Sequence, residues 1–239
     1  MNRPSAASLT SLRAGYRALV VGAGGAIGQA WVEALRADPR CGAVTALSRS
    51  THPWFDLEDE AGIARCGTWM AEQAPLHLVV DATGALGLGR SGPEKRLEDL
   101  QAPDLQRALA INAIGPALLL RHLWPLMAAG ERTVWAKLSA RVGSIEDNHK
   151  GGWYGYRASK AALNQLLQTA AIELARRRPG LVVAALQPGT VRSALSRPFV
   201  GDRAMDAAEA VQRLMVAIDG LPDTGRAHFV DHQGQTIPW

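Results

Sequence analysis

Short apolar runs alternate along this chain with longer stretches in which apolar positions recur every three or four residues. The runs at 18–21, 43–47, 76–80, 133–138, 181–186 and 227–230 predict buried strands, and the periodic stretches at 29–37, 59–73, 104–127, 154–178 and 205–219 predict helices. Pro116 is expected to kink or interrupt the third helix. A Gly-, Pro- and charge-rich stretch at 84–103 is the longest irregular segment. Strands separated by helices of this length require parallel pairing through right-handed crossovers. The predicted architecture is therefore α/β, a Rossmann-type doubly wound parallel sheet. Neither a linker nor a repeat interrupts it, so one domain is expected at 16–239, behind a small, polar, loose leader at 1–15.

Composition narrows the class. With 239 residues, 47% apolar and 20% charged, the chain can fill a core and is not mainly disordered. No uninterrupted apolar run approaches the roughly 18–20 residues needed to span a bilayer, and the N-terminus lacks a signal-peptide core. A cytoplasmic protein with no membrane partner is expected. Cys41 and Cys66 cannot form a disulfide framework and have no neighbours at metal-ligand spacing, so no metal is expected. The net charge of +4 is carried mostly by scattered arginines; Arg176-Arg177-Arg178 closes a helix and is not interleaved with aromatic residues. Nucleic acid is accordingly not an expected partner.

Candidate chemistry begins at the first strand-to-helix turn, Gly22-Ala23-Gly24-Gly25-Ala26-Ile27-Gly28. Glycines there let backbone N–H groups and a helix N-terminus approach a pyrophosphate, which points to a dinucleotide. At the tip of the second strand, Ser48-Arg49-Ser50 offers a guanidinium between two hydroxyls and no carboxylate. That combination favours the 2′-phosphate of NADP(H) over the free ribose of NAD(H), although Arg49 could also be an ordinary surface arginine. In the long helix, Tyr156 and Lys160 stand four residues apart on one face. A neighbouring cation is expected to lower the phenol pKa toward the range useful for acid–base work.

Together these residues resemble the short-chain dehydrogenase/reductase family over nearly the whole chain. Val21 to Gly28 is similar to that family's Thr-Gly-x-x-x-Gly-x-Gly, Asp81-Ala82-Thr83-Gly84 to its Asn-Asn-Ala-Gly, and Tyr156 with Lys160 to its Tyr-x-x-x-Lys pair. Asn112 stands where the family has its asparagine, Pro188-Gly189-Thr190-Val191 and Ser193 resemble the segment over the nicotinamide, and Asp56-Leu57 resembles the pair at the adenine. The stretch Gly151-Gly152-Trp153-Tyr154-Gly155-Tyr156-Arg157 is similar to the C-signal and sniffer-like carbonyl reductase branch.

The resemblance implies an NADPH-dependent reductase of ketones or aldehydes. Tyr156 would be the acid/base, Lys160 would hold the nicotinamide ribose, and Asn112 a proton-relay water. Gly22, Gly24, Gly25, Ala26, Ile27, Gly28, Ser48, Arg49, Ser50, Asp56, Leu57, Ala82, Thr83 and Gly84 would bind the cofactor, with Asn112, Tyr156, Lys160, Pro188, Gly189, Val191 and Ser193. The family's substrate-holding serine is replaced by Ala140, which leaves Ser139 and Ser144 as candidates. The alternative is a cofactor-binding signalling or scaffold protein with weak turnover. Pocket walls are expected from 84–103, 145–153 and 191–203, with Trp153 and Phe199 suited to an apolar substrate and His149 in the same loops. The resemblance also implies a homodimer or homotetramer, formed through the helices at 104–127 and 154–178.

Overall fold

The computed structural model describes residues 7–87, 92–193 and 204–239; Phe199 and most of 191–203 lie outside them. In chain order the elements are β1 (Tyr16–Val21), α1 (Ala26–Ala37), β2 (Cys41–Leu47), α2 (Glu60–Ala71), β3 (Leu78–Asp81), α3 (Ala102–Leu109), α4 (Gly115–Leu123), β4 (Thr133–Leu138), α5 (Tyr154–Arg177), β5 (Leu181–Gln187), α6 (Ala207–Asp219) and β6 (His228–Asp231). The six strands form one sheet in the order β2-β1-β3-β4-β5-β6, with every pairing parallel. Chain order reverses between β1 and β3, the point where an open α/β sheet leaves a crevice at its carboxyl edge.

Both faces of the sheet are covered, which explains why its central strands read as continuous apolar runs rather than alternating ones. One face carries α1 and α6, packing Trp31, Leu35, Leu214 and Ile218 onto Ala18, Val20, Val80 and Leu186. The other carries α2, α4 and α5, packing Ile63, Met70, Leu119, Leu163 and Leu167 onto Leu19, Val79, Trp135 and Val183. Leu119, Leu163 and Leu167 are thus core residues, Leu118 is half-buried and Leu166, on α5, is exposed.

One expectation is met and another corrected. As expected, the helix at 104–127 is interrupted at Pro116, by a widened turn at Ala110–Ile114 in which Gly115 N–H donates to the Ala110 carbonyl. Pro116 has no N–H to return to Asn112, so the helix widens ahead of it, and Pro116 itself sits in the first turn of α4, where its missing donor is harmless. Residues 7–15 are not loose. Leu9 and Leu12 are buried, and Asp38 accepts from the Ser8 hydroxyl, the Leu9 N–H and the Tyr16 hydroxyl. Asp219 holds the next turn through Thr10 and Ser11. Two isolated leucines in a polar stretch carry no periodicity, so only the packed fold reveals the anchor.

Candidate active site

The glycine turn is shaped by close backbone approach. Gly22 has φ +81°, and a Cβ there would lie 3.0 Å from Ala82 C and Thr83 N; a Cβ on Gly28 would lie 2.2 Å from the Gly22 carbonyl oxygen. Gly22 and Ala23 N–H groups donate to the Leu47 carbonyl, tying the turn to the end of β2. No side chain caps α1, so the N–H groups at Ala26, Ile27 and Gly28 face the crevice without an intrahelical acceptor. Gly24 and Gly25 complete the turn. Beside it lies a cavity of about 290 Å³ lined by Gly24, Ser48, Ser50, Thr51, Glu33 and Arg36. The Ser48 hydroxyl lies 2.8 Å from that of Ser50 and 2.9 Å from that of Thr51. Arg49 is exposed and, among the described residues, forms no ion pair.

Asp56 and Leu57 do not line this cavity. Asp56 accepts from the Glu58 N–H in the turn leading to α2, and Leu57 is half-buried against Gly115 at the start of α4. The cavity instead recruits Arg36, three helical turns from the glycines, a position no local motif marks.

At the other end of the crevice, the widened turn before α4 directs Asn112 inward. Its carboxamide oxygen accepts from Ala85 N–H at 2.8 Å, and its nitrogen donates to the Ala85 carbonyl at 2.9 Å and to Ser159 Oγ at 3.1 Å. Ser159 Oγ donates in turn to the Tyr156 carbonyl at 2.9 Å, joining Asn112 to α5. A Cβ on Gly84 would lie 3.4 Å from both Asn112 Oδ1 and Lys160 Nζ. Gly84, Asn112 and Lys160 therefore meet at one point. Lys160 Nζ donates to the Leu138 carbonyl at 3.0 Å and lies 5.7 Å from the centroid of the Tyr156 ring.

The electrostatics reverse the expectation drawn from spacing. Burial pushes the Tyr156 phenol up to about 12. Lys160 does not counter it, because burial, with the positive charge of Lys137 adding to it, holds its ammonium well below the ordinary lysine range. A cation four residues away lowers a phenol pKa only if it stays charged, and in this site desolvation dominates.

Neither candidate serine is free for a substrate oxygen. Ser139 Oγ donates to Asn164 Oδ1 at 2.7 Å, the opposite face from Ala140 in extended chain, and Ser144 Oγ donates to the Trp239 carbonyl at 3.3 Å and accepts from Asp147 N–H. Both hydroxyls are structural here.

A small cavity of about 20 Å³ adjoins Tyr156, with Ala85, Pro93, Glu94, Asp104 and Asn112 in its wall. Glu94 is a further residue that no motif marks: its carboxylate accepts from Gly155 N–H at 3.2 Å, and its carbonyl from Trp153 N–H, at the N-terminus of α5. Trp153, at φ +55°, packs edge-on to Tyr156 with ring centroids 6.2 Å apart. Ile145 and His149 are exposed. On the remaining side, Gly189 has φ +80°, and the chain after Pro188 returns to the start of α6 through a bridge between Val191 and Met205. Ser193 ends this described segment. Ala82 and Thr83 form the crossing beneath the glycine turn. Among the described residues there is no metal-ligand cluster, and no helix is long and apolar enough to cross a membrane.

The chain matches the family model described as enoyl-(acyl carrier protein) reductase over residues 36–220. It is 32% identical over 165 residues to C-signal of Myxococcus xanthus, spanning 69% of this chain and 93% of that protein. It is 27% identical over 198 residues to a 1-hydroxy-2-glutathionyl-2-methyl-3-butene dehydrogenase of a Rhodococcus species, spanning 82% of this chain and 83% of that protein. Among solved structures, carbonyl reductase Sniffer of D. melanogaster superposes with a TM-score of 0.79 at 19% identity, over 94% of this chain and 99% of that one. An NADPH-bound carbonyl reductase from chicken fatty liver superposes with a TM-score of 0.80 at 22% identity, over 95% and 100%. By sequence and by fold, the chain belongs to the short-chain dehydrogenase/reductase family of oxidoreductases.

Proposed function

We propose that this protein is an NADPH-dependent reductase of ketones or aldehydes. The observation that carries this reading is the convergence of Lys160 and Asn112 on Gly84, one helical turn from a half-buried, protonated Tyr156. The crevice fits a dinucleotide: a glycine-rich turn before uncapped α1 N–H groups, and a guanidinium between two hydroxyls that forms no ion pair among the described residues. NADPH over NADH is favoured by exposed Arg49, which does not itself line the cavity but stands between Ser48 and Ser50 that do, and by Arg36 in the cavity wall, while Glu33 in that wall opposes it. The carbonyl reductase from chicken fatty liver that shares this fold is NADPH-bound, which supports the same choice.

When bound, the dinucleotide supplies a hydride to the carbonyl carbon. Tyr156 holds its proton at neutral pH and gives it to the carbonyl oxygen as the alcohol forms; its raised pKa makes it a weaker acid than one matched to neutral pH, which agrees with slow turnover. Lys160, whose Nζ donates to the Leu138 carbonyl, would hold the nicotinamide ribose, and with Asn112, beside Ala85, would return a proton to Tyr156 from solvent. With Ser139 and Ser144 engaged and Ala140 carrying no donor, the substrate oxygen depends on Tyr156. Loss of one such donor elsewhere costs about 10²–10³ in rate, so slow or restricted turnover is expected.

A second reading, a cofactor-binding signalling protein with little turnover, draws on Ala140 and on the similarity to C-signal. Fluorescence titration with NADPH and NADH, followed by a carbonyl panel on the native chain and Tyr156→Phe, separates the two. NADPH-preferring binding with Tyr156-dependent reduction is expected; NADPH binding with no turnover that Tyr156→Phe abolishes would establish the second reading instead.

A further inference from the structure

Two charged side chains lie at the carboxyl ends of β3 and β4 with no exposure to solvent. Asp81 and Lys137 are each 0% exposed, and Lys137 Nζ donates to Asp81 Oδ1 at 3.0 Å. They are register partners on neighbouring strands. Lys137 also donates to the Thr83 carbonyl at 2.6 Å and to the Thr83 hydroxyl at 3.0 Å. Desolvation makes a buried pair of this kind no better for stability than apolar residues of the same volume. Its position gives it another use.

Each arm of the pair adjoins a residue that touches Lys160. Leu138, which follows Lys137, presents the carbonyl to which Lys160 Nζ donates at 3.0 Å. Gly84, which follows Thr83, is where a Cβ would lie 3.4 Å from Lys160 Nζ and from Asn112 Oδ1. Asp81 Oδ2 is buried without a hydrogen-bond partner among the described residues.

We propose that Asp81 and Lys137 form a positioning pair for Lys160: they fix the Thr83–Gly84 stretch on which Lys160 and Asn112 converge, and their opposite charges offset each other at its ammonium. The importance of that charge for turnover rests on the function proposed above. Facing Lys160 are Lys137 from β4, which opposes its ammonium, and Asp81 from β3, which favours it. The turn at Ala110–Ile114 presents only neutral Asn112, Arg141 from the turn packed on α5 is engaged with Asp147 and Asp231, and Tyr156 is the titratable neighbour on its own helix.

The chain has only four lysines, at 95, 137, 150 and 160, so NMR of [13Cε]lysine-labelled protein without cofactor reads each one, with Lys160→Arg assigning the signal. In Lys137→Met, the lone Asp81 carboxylate is expected to raise the Lys160 midpoint by about one pH unit. In Asp81→Asn/Lys137→Met, no lone charge is buried, so the double variant folds even if the single one does not. Its Lys160 midpoint is expected to lie within about 0.5 unit of the native value. The amide of Ala85, which follows the stretch released from Lys137, is expected to exchange about tenfold faster with solvent. An unmoved or lowered Lys160 midpoint in Lys137→Met, or native protection of Ala85 in the double variant, overturns the proposal. Tyr156-dependent reduction with an unmoved midpoint overturns this inference alone, whereas a midpoint that moves as stated in a protein that reduces no carbonyl overturns the proposed function alone.

Discussion

The two ends of the crevice are built on opposite principles. At the end near Tyr156, every polar group of the Asn112–Ser159–Ala85 cluster has a partner, Lys160 and Lys137 are buried, and the neighbouring cavity is about 20 Å³. At the Ser48–Arg49–Ser50 end, Arg49 is exposed and the cavity is about 290 Å³. A low-dielectric, fully bonded site holds groups in one geometry and shifts their protonation, at a high penalty for any lost partner. An exposed cation recognises a phosphate with little effect on folding, because solvent already screens it. Chemistry and recognition are thereby separated in stability as well as in space.

Substitutions at the buried end are accordingly expected to have the larger effects. Asn112→Ala removes partners from the Ala85 N–H and carbonyl and from Ser159. It is expected to cost about 2–4 kcal/mol, read as a Tm lower by roughly 5–15 °C in calorimetry, and to reduce carbonyl reduction at least about 100-fold. A Tm within a degree of native would show that the cluster is not the rigid end of the site. Arg49→Gln is expected to leave Tm unchanged while weakening NADPH about 10- to 100-fold and NADH by no more than about twofold. Equal losses for both dinucleotides would remove the 2′-phosphate role.

The third test uses pH. Tyr156 has its folded pKa raised by burial from 10.0 to about 12, so the folded chain holds this proton where the unfolded chain releases it. The stability this confers is complete below pH 10 and is lost as the pH rises toward 12. Relative to native protein, Tyr156→Phe is expected to unfold at a pH higher by about a few tenths of a unit in alkaline titrations followed by circular dichroism. No difference would place the phenol in water. The smallest effect is expected at Glu173–Arg177, an exposed pair one turn apart on α5. Glu173→Gln should change stability by less than about 0.5 kcal/mol in urea unfolding and leave turnover unchanged.

The same contrast separates what local patterning revealed from what it could not. The apolar runs located all six strands within a few residues, because buried parallel strands are continuous in sequence. The glycine turn, Tyr156, Lys160 and the charge character of the β2 tip stood out because each is a short motif or a fixed helical spacing, whereas Asn112 stood out only through the family resemblance. Ser159, Glu94 and Lys137 did not, since each acquires its neighbour across 47 or 61 residues or through strand register, nor did Arg36, which shares a cavity with the β2 tip only once α1 has packed on the sheet. Ser139 and Ser144 show the converse, two correct residue types whose hydroxyls turn to Asn164 and Trp239.

By itself, the sequence determined the fold class, the order of the elements and the residues from which a dinucleotide site can be made, since these follow from periodicity and from what glycine, arginine and tyrosine can do locally. Only the tertiary structure decided the protonation of that site. A lysine one turn from a tyrosine predicts a lowered phenol pKa, yet burial, beside the Asp81–Lys137 pair, raises the phenol and holds the lysine well below its ordinary range. Desolvation depends on everything packed around a group, and no window of sequence contains that shell.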